Sequence, residues 1–474
     1  MDSRHAPQQH LLQTETSSVG IEQSSSKWWV LVAIGVGTFM SALDGSVVNI
    51  TLPLISRHFT STIAAVEWVV TVYLLGLSGL LLSFGRLGDM QGHKRVYLAG
   101  FTIFMISSAL CGLASSVNML IIFRGLQALG GAMLMSNSPA ILTKSFPASQ
   151  RGQALGIQAT MTYLGLTVGP SLGGWLADQF SWRAVFYINI PVGLIALMLS
   201  ARFIRSDHPP QTSERFDLLG AFTFLTGLVF LLFCMNQGHA LGWTSPIILG
   251  ALTIAVLFLA WFVYIEEHSA SPMLDFQLFH SWPFSSAVIS AVLNYICIYT
   301  IIFLMPFYLL QGRSFTPTQA GLILTAMPIV MAIVAPLSGT ISDRIGTRIP
   351  TLIGMAALGI GLYLLSNLGP TTTPQQIALR LGVVGLGTGI FISPNNSSLM
   401  GAAPKSRQGI AAGILATSRN FGMVLGVGLA GAVFTTVLTQ AGDAQSSALY
   451  QAIQYSFLIS CGIVILGLIV SAKR

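Results

Sequence analysis

The chain has 474 residues, of which 53% are hydrophobic and only 8% are charged, and its mean hydropathy is +0.74. This composition excludes an ordinary soluble protein and predicts an all-α polytopic membrane protein. The net charge of +7 could suggest a nucleic-acid partner. The basic residues instead separate by membrane side, so we expect no nucleic-acid binding.

In chain order, the sequence begins with a polar segment, residues 1–26, which we expect to be a disordered cytoplasmic tail. The apolar runs that follow predict fourteen transmembrane helices, since a span needs about 20 apolar residues. These runs lie near Trp28–Ile55, Trp68–Phe84, Val96–Ala114, Met119–Leu142, Ala154–Ala177, Val185–Phe203, Leu218–Met235, Ile247–Ile265, Phe284–Leu310, Ala320–Leu337, Pro350–Leu368, Ile377–Leu399, Gly409–Leu438 and Tyr450–Ser471.

The distribution of the 22 Lys and Arg residues predicts the orientation. With both termini in the cytoplasm, sixteen fall on the inner side and three in outer loops. This is the bias of a protein of the cytoplasmic (inner) membrane. The other three, Arg124, Arg380 and Arg419, lie within predicted spans. We expect Arg380 and Arg419 to reach the interface or to pair with backbone carbonyls.

An internal repeat predicts the domain organisation. Gly85-x3-Asp89-x2-Gly92 recurs 254 residues later as Gly339-x3-Asp343-x2-Gly346, two spans more than a bare six-span unit needs. We therefore predict a six-helix bundle over 27–206, a linker with two inserted transmembrane helices over 207–283, and a second six-helix bundle over 284–474.

Asp44 is the acidic residue that falls inside a long apolar run. An ionisable group at bilayer depth is expensive, so Asp44 is a functional candidate. Arg124 and Gln127 share one face of the fourth span, and a buried arginine needs an anion. Both Asp44 and Arg124 lie in the outer half of the bilayer by residue count. Asp44 is therefore the obvious partner of Arg124, although the sequence does not establish direct contact.

Four motifs carry a family resemblance. They are GRLGDMQGHKR at 85–95, LIIFRGLQALGGA at 120–132, LDGSVVNITLP at 43–53, and Gly165-x3-Gly169-Pro170-x2-Gly173-Gly174. Together they resemble the major facilitator superfamily and its fourteen-span drug:proton antiporter branch, the EmrB/QacA-like multidrug exporters. The resemblance runs from about Trp28 to the C-terminus. It implies a major facilitator fold of two six-helix bundles plus two inserted helices.

The resemblance assigns roles to these motifs. Arg124 is implied in proton movement together with Asp44. A cytoplasmic gate is implied for Gly85, Asp89, Gly92, Lys94 and Arg95, with Asp343 and Arg344 as a weaker second latch. The alternative is a solvated loop that only sets topology. An antiporter motif is implied for Gly165, Gly169, Pro170, Gly173 and Gly174, for which the alternative is a packing seam between helices.

The inventory of motifs argues against an enzyme. Gly169-Pro170-Ser171-Leu172-Gly173 matches G-x-S-x-G, but it lies inside a predicted helix rather than at a strand-to-helix turn. The eight histidines are expected in tails or loops, so we predict neither catalysis nor a metal site. No G-x4-G-K-[ST] run is present, so we expect no cofactor and an ion gradient as the energy source, with protons favoured over sodium.

The predicted function is proton-coupled efflux of amphiphilic or cationic drugs by alternating access, with Asp44 as the proton and cation site. The partners would be the lipid bilayer, protons and small amphiphilic substrates, with a periplasmic adaptor only if the host has an outer membrane. Candidate substrate contacts, each equally consistent with helix packing, are Asn49, Tyr73, Gln127, Gln158, Tyr163, Asn294, Tyr295 and Asn395. Glu67 is the only nearby candidate for a second negative charge that could serve a dication, but we expect it to be a solvated interfacial carboxylate instead. The alternatives are a dedicated exporter of one metabolite or antibiotic, and a sensor or structural protein without transport.

Overall fold

The computed structural model describes the backbone of residues 6–147, 150–206, 218–268, 276–404, 408–440 and 445–473, and from Lys27 onward it also describes the side chains at most of these positions. Within these ranges the protein is helical and has no strand. The helices are α1 (Ala6–His58), α2 (Ile63–Gln91), α3 (His93–Leu113), α4 (Val117–Ser145), α5 (Arg151–Gln179), α6 (Ala184–Tyr187), α7 (Asn189–Phe203), α8 (Leu218–Leu241), α9 (Pro246–His268), α10 (Trp282–Phe307), α11 (Pro317–Ile345), α12 (Arg348–Ser366), α13 (Pro374–Ala402), α14 (Gln408–Gln440) and α15 (Gln445–Ala472). The tail predicted over 1–26 lies outside the described side chains.

Twelve segments of the described chain are long and apolar enough to cross a membrane, and α6 and α7 together form one of them. The molecule is therefore a multi-pass membrane protein. Helices α5 and α8, with 29 and 24 residues, fall outside this set. Helix α5 is rich in glycine and polar residues. The count of fourteen spans stays a prediction.

The helices pack as two bundles, α1–α7 and α10–α15. The two share local packing devices. A methyl group at Gly130 of α4 would lie 2.7 Å from the carbonyl oxygen of Gly100 in α3. In the second bundle a methyl at Gly354 of α12 would lie 2.7 Å from the carbonyl oxygen of Gly387 in α13. Gly100 and Gly354 are separated by the same 254 residues as the two loop motifs, as expected for a structural repeat.

The two inserted helices lie beside the bundles. Helix α8 packs on α9 and also contacts α2 of the first bundle and α14 of the second. A methyl group at Gly79 of α2 would lie 2.6 Å from a methyl carbon of Leu225 in α8. The pair α8 and α9 therefore touches both bundles without entering the space between them.

The loops lie at two opposite ends of the helices. We call the end with the α1–α2 loop, residues 59–62, the first-loop face, and the end with Gly92 between α2 and α3 the second-loop face. The bundles meet mainly through α5 with α11 and α2 with α14. In the first of these contacts, Thr318 Oγ1 donates to Asp178 Oδ2 at 2.7 Å, and the hydroxyls of Ser171 and Thr325 are 2.5 Å apart. These contacts join the bundles at their first-loop half.

Candidate functional site

A buried ion pair lies inside the first bundle. Arg124 Nη1 is 2.7 Å from Asp44 Oδ2, and the two side chains are 1% and 0% exposed. The same Arg124 donates through Nε to the carbonyl oxygen of Val69 at 3.1 Å. The contact between Asp44 and Arg124 that the sequence suggested is thus present. Away from water such a pair is stable only when its other hydrogen-bonding positions are also filled.

Amide side chains fill the remaining positions around Asp44. Gln127 Nε2 and Asn189 Nδ2 donate to Asp44 Oδ1 at 3.0 and 2.8 Å, and Gln127 Oε1 accepts from Arg124 at 2.7 Å. Both amides also donate to Ser108 Oγ, at 3.1 and 2.9 Å. Both oxygens of the carboxylate therefore accept hydrogen bonds, in a buried polar network drawn from α1, α3, α4 and α7.

The local sequence explains how these groups meet. Arg124 and Gln127 are three residues apart on α4, so they lie on one helix face. Asn189 is the first residue of α7, directly after the break at Ile188, and the break turns its amide toward Asp44. Sequence reasoning did not identify Asn189 or Ser108 as members of this site. The available signal for Asn189 was a polar residue within the aromatic-rich run SWRAVFYINIP at 181–191, which joins the fifth and sixth predicted spans.

A central cavity of about 260 Å³ lies between the bundles. Its lining comes from α1, α2, α4, α5, α10, α11, α13 and α14, and most of it is apolar. Ser41, Gly45 and Asn49, spaced by one helical turn, present one face of α1 to the cavity. Asp44 lies on another face and does not line it. The predicted direct role of Asp44 in holding a substrate cation is therefore not met in this conformation.

Tyr73 connects the ion pair with the cavity. Its ring lines the cavity, and Arg124 Cζ is 4.0 Å from the ring centroid. A guanidinium at this distance is attracted by the face of an aromatic ring. One aromatic side chain thus contacts both the charged network and the space between the bundles.

The predicted substrate contacts fall into two groups. Asn49, Tyr73, Tyr163 and Tyr295 line the cavity, and Gln158 lies beside it, 3.4 Å from the hydroxyl of the lining residue Thr38.

Gln127, Asn294 and Asn395 do not line the cavity, which corrects their predicted placement. Gln127 belongs to the Asp44 network. Asn294 lies close to Met355 Sδ of α12, and Asn395 donates to the carbonyl oxygen of Ala287 at 3.0 Å. A polar residue in a predicted span can face either the cavity or a neighbouring helix. These three side chains face neighbouring helices.

The two intramembrane arginines of the second bundle behave differently. Arg380 donates to the carbonyl oxygens of Leu364 and Asn367 at 2.8 and 2.9 Å, which confirms the prediction of carbonyl pairing. Arg419 instead lines the cavity together with Asn420, so the same prediction is wrong for Arg419. Gly422 lies three residues after Arg419 on the same face of α14, and a methyl group at Gly422 would lie 2.6 Å from the carbonyl oxygen of Val292 in α10. This face of α14 is therefore directed toward α10, which also lines the cavity.

The glycine motif of α5 makes two different contacts. Methyl groups at Gly165 and Gly169 would lie 2.6 Å from the Phe39 carbonyl oxygen and 2.5 Å from Ser46 Cβ of α1, and Gly173 faces the same helix. Gly174 instead faces the backbone of α11 at Pro317, and Gly321 of α11 faces the carbonyl of Pro170. The motif therefore packs α5 within its own bundle and also holds the first-loop contact between the bundles.

The α2–α3 turn carries the predicted gate motif. Asp89, whose side chain is 54% exposed, lies 3.3 Å from His93 Nε2. Its hydrogen bond to His93 lowers the pKa of the Asp89 carboxyl below its usual value. The other His93 nitrogen, Nδ1, is 2.8 Å from Asn137 Oδ1. His93 is buried at the start of α3, which corrects the expectation that every histidine lies in a tail or loop.

The other gate residues surround this turn. Gly92 has φ +95°, where a side chain would be strained. A methyl at Gly85 would lie 3.7 Å from Ser136 of the same bundle. Lys94 donates to the Ala201 carbonyl oxygen at 2.9 Å, and Arg95 is exposed.

The second copy of the loop motif is solvent-facing. Asp343 and Arg344 are both exposed at the end of α11. The structure therefore places the two loops at the second-loop face.

Glu67 differs from its prediction. It is only 1% exposed, and a methyl group at Gly431 of α14 would lie 2.9 Å from Glu67 Oε1. The interpretation as a solvated interfacial carboxylate is therefore wrong. Glu67 is packed into the α2–α14 contact between the bundles, outside the cavity lining.

Among the residues that the structure describes, no group of three or more His, Cys, Asp or Glu side chains could hold a metal ion. Ser171, the serine of the formal G-x-S-x-G match, lies within α5, and its hydroxyl pairs with Thr325. The arrangement offers an ion pair, a cavity and a joint between two bundles, which are the elements of a conformational carrier.

Comparisons with known proteins agree with this architecture. The family model described as Major Facilitator Superfamily matches residues 34–280 and 287–473. A crystal structure of a bacterial homologue of the human lysosomal transporter Spinster, in an inward-facing and unoccupied conformation, matches with a TM-score of 0.68 and 17% identity. That match covers 94% of this chain and 96% of the other, and it establishes the fold alone.

Sequence relatives share about a third of their residues with this chain. The riboflavin transporter RibZ of Clostridioides difficile is 34% identical over 94% of this chain and 97% of its own length. The multidrug resistance protein Stp of Mycobacterium tuberculosis is 34% identical over 86% of this chain and 76% of its own. The tetracenomycin C resistance and export protein of Streptomyces glaucescens is 30% identical, with the same coverage.

Proposed function

The chain belongs to the Major Facilitator Superfamily, and we propose that it is a proton-coupled exporter of amphiphilic small molecules. It is a multi-pass membrane transporter and not an enzyme. We further propose the fourteen-span plan of the EmrB/QacA-like branch, in which α5 and α8 cross the bilayer with the other helices. In this plan both termini lie in the cytoplasm, the second-loop face is cytoplasmic, and the membrane is the cytoplasmic (inner) membrane.

One observation carries the proposal. The Asp44–Arg124 pair is buried, both carboxylate oxygens accept hydrogen bonds, and the Tyr73 ring joins the pair to the central cavity. An acid that only stabilised the bundle would not need a neighbouring cavity shared by both bundles. If protonation of an acid is coupled to transport, the environment of that acid must change when the cavity is occupied or rearranged.

The geometry supports a simple exchange. Arg124 lies 2.7 Å from Asp44, and both oxygens of the Asp44 carboxyl group accept hydrogen bonds. Protonation of Asp44 removes the charge that compensates Arg124, and a buried arginine without an anion is unstable by several kcal/mol. Arg124 and the Tyr73 ring against it would then shift. The cavity side of α2 would thereby sense the proton without direct contact between Asp44 and the cargo.

The contacts between the bundles support alternating access. The described joints, α5 with α11 and α2 with α14, lie at the first-loop half. The gate residues at the second-loop face, Asp89 and Asp343, are not engaged across the bundles in any described hydrogen bond. In the proposed orientation this is an inward-facing arrangement, and the gate motif would close when the first-loop joints open.

The test is transport by purified protein in proteoliposomes with an imposed proton gradient. We expect accumulation of an amphiphilic dye to require the gradient and to collapse on addition of a protonophore. Accumulation that continues after the gradient has collapsed would refute proton coupling. An imposed sodium gradient at equal pH on both sides of the membrane tests sodium as the coupling ion. We expect this gradient to cause no dye accumulation.

A dedicated exporter of one compound is the second candidate. The cavity volume of about 260 Å³ is at the small end for a drug-sized ligand. The relatives include one named for riboflavin and one for tetracenomycin C. A panel of chemically unrelated dyes and antiseptics separates the two: transport of several classes supports the broad exporter, and transport of one class supports the dedicated one.

A further inference from the structure

The charge inside the cavity has one sign. Among the described residues that line it, Arg419 is the only charged side chain, and no lining residue is Asp or Glu. Asp44 is oriented away into the first bundle, and Glu67 is packed into the α2–α14 contact. The cavity therefore offers a guanidinium to its contents and no carboxylate to balance it.

Arg419 has donors to spare. Its Nε is buried and has no hydrogen-bond partner among the described residues, and the same is true of Nδ2 of the adjacent Asn420. The described ion pairs do not include Arg419. An unmatched buried donor is costly, and more so when the donor is charged. Two neighbouring donors on α14 thus lack acceptors that an anionic group could supply.

Aromatic side chains surround this arginine. Tyr163 of α5 and Tyr295 and Tyr299 of α10 line the same cavity, and all three lie close enough to Arg419 for its charge to act on their hydroxyls. The Tyr295 hydroxyl also shares a hydrogen bond with the Arg419 side chain, which leaves Nε as the donor without a partner within the described chain. Tyrosine rings provide flat surfaces for an aromatic ligand. The guanidinium fork matches the two oxygens of a carboxylate.

We propose that Arg419 and Asn420 bind the anionic oxygens of a planar aromatic substrate whose ring system lies among Tyr163, Tyr295 and Tyr299. The inference rests on the proposed function, since it identifies the cavity as the cargo site. It replaces the predicted preference for cationic drugs with a preference for aromatic acids and related anions. Cations are disfavoured because they would share an apolar cavity with an uncompensated guanidinium.

The test compares two dyes with the same xanthene skeleton and opposite charge, fluorescein and rhodamine 123. Their dissociation constants from the purified full-length protein are measured by fluorescence anisotropy at neutral pH. We expect fluorescein to bind the wild type more tightly. Arg419→Gln should weaken fluorescein binding by about ten- to a hundredfold, the range for one charge-assisted hydrogen bond. It should leave rhodamine 123 unchanged or improved.

Two further variants separate binding from folding. Arg205→Gln removes the same charge at an exposed position outside the cavity, and we expect it to leave both dissociation constants unchanged. Arg419→Lys keeps the charge without the fork, so fluorescein binding should fall between the wild type and Arg419→Gln. Equal weakening of both dyes by Arg419→Gln would indicate general loss of structure and would overturn the assignment.

The outcomes distinguish this inference from the proposed function. If fluorescein binding depends on Arg419 but a proton gradient does not drive dye transport in proteoliposomes, the anion site is supported and proton coupling is refuted. Proton-driven transport of rhodamine 123, with fluorescein binding indifferent to Arg419→Gln, would keep the exporter and refute the anion site.

Discussion

Substitution of Asp44 by asparagine tests the charged network most directly. The two side chains have almost the same shape, so the change removes a charge without creating a cavity. The amide oxygen of the introduced asparagine could still accept from Gln127 and Asn189. Its NH2 group, however, would face Arg124 Nη1, which is now 2.7 Å from Asp44 Oδ2, so two donors would be opposed.

The expected magnitude follows from burial. Arg124 is 1% exposed and would lose its only described anionic partner. Removing one member of a buried pair destabilises a protein by about 3–5 kcal/mol because the other charge is left uncompensated. The remaining bonds of Arg124, to the Val69 carbonyl and to Gln127, solvate the cation in part. We therefore expect a loss near the lower end of that range, about 3 kcal/mol.

The double variant Asp44→Asn/Arg124→Gln separates stability from function. It removes both charges, so the uncompensated cation disappears and we expect most of the lost stability to return. Proton-driven transport should not return, because no carboxylate remains in the network to take up the proton. A purely structural pair would instead recover transport and stability together.

The assay combines denaturation of purified protein in detergent with gradient-driven dye accumulation in proteoliposomes. Glu267→Gln, at an exposed position on α9, is the matched control and should retain both properties. The reasoning would be refuted by an Asp44→Asn protein with wild-type stability and wild-type proton-driven transport.

Two other predictions concern the joints of the fold. Gly321→Ala places a methyl group against the Pro170 carbonyl. We expect it to cost about 1–3 kcal/mol and lower the thermal midpoint, whereas Gly401→Ala, with no atom within 4 Å of the added methyl, should not; equal effects would contradict the close α5–α11 contact. Because its hydrogen bond to His93 lowers the pKa of Asp89, the Asp89 carboxylate stabilises the fold above the usual Asp pKa of about 4, and this contribution is lost as the pH falls through the lower folded value. The thermal midpoints of wild type and Asp89→Asn should thus differ at neutral pH and converge once the pH has fallen below the lowered Asp89 pKa, and a gap that does not shrink in acid would count against the Asp89–His93 interaction.

Some features were decided by sequence because they depend on local chemistry. Long apolar runs have one stable solution in a bilayer, the helix, so the all-helical membrane fold could be predicted. The repeated loop motif indicated two bundles. Because a charge buried in the membrane is unfavourable, the sequence indicated Asp44 as the partner of Arg124 before their contact was known.

Other features depended on how the helices are rotated against one another. Gln127, Asn294 and Asn395 are polar residues in spans like Asn49 and Tyr163, yet packing turned the first three away from the cavity. Glu67 appeared interfacial from its position near a helix end but is buried, because α14 brings Gly431 against it. Asn189 joined Asp44 only because the break before α7 reorients it.

Sequence alone determined that the chain is helical, membrane-spanning and built around a buried acid and base. Only the tertiary structure decided which polar side chains face the cavity and that its one described charge is Arg419. The physical reason is that burying apolar surface constrains every span alike, whereas the direction of each polar side chain depends on contacts between residues far apart in the chain.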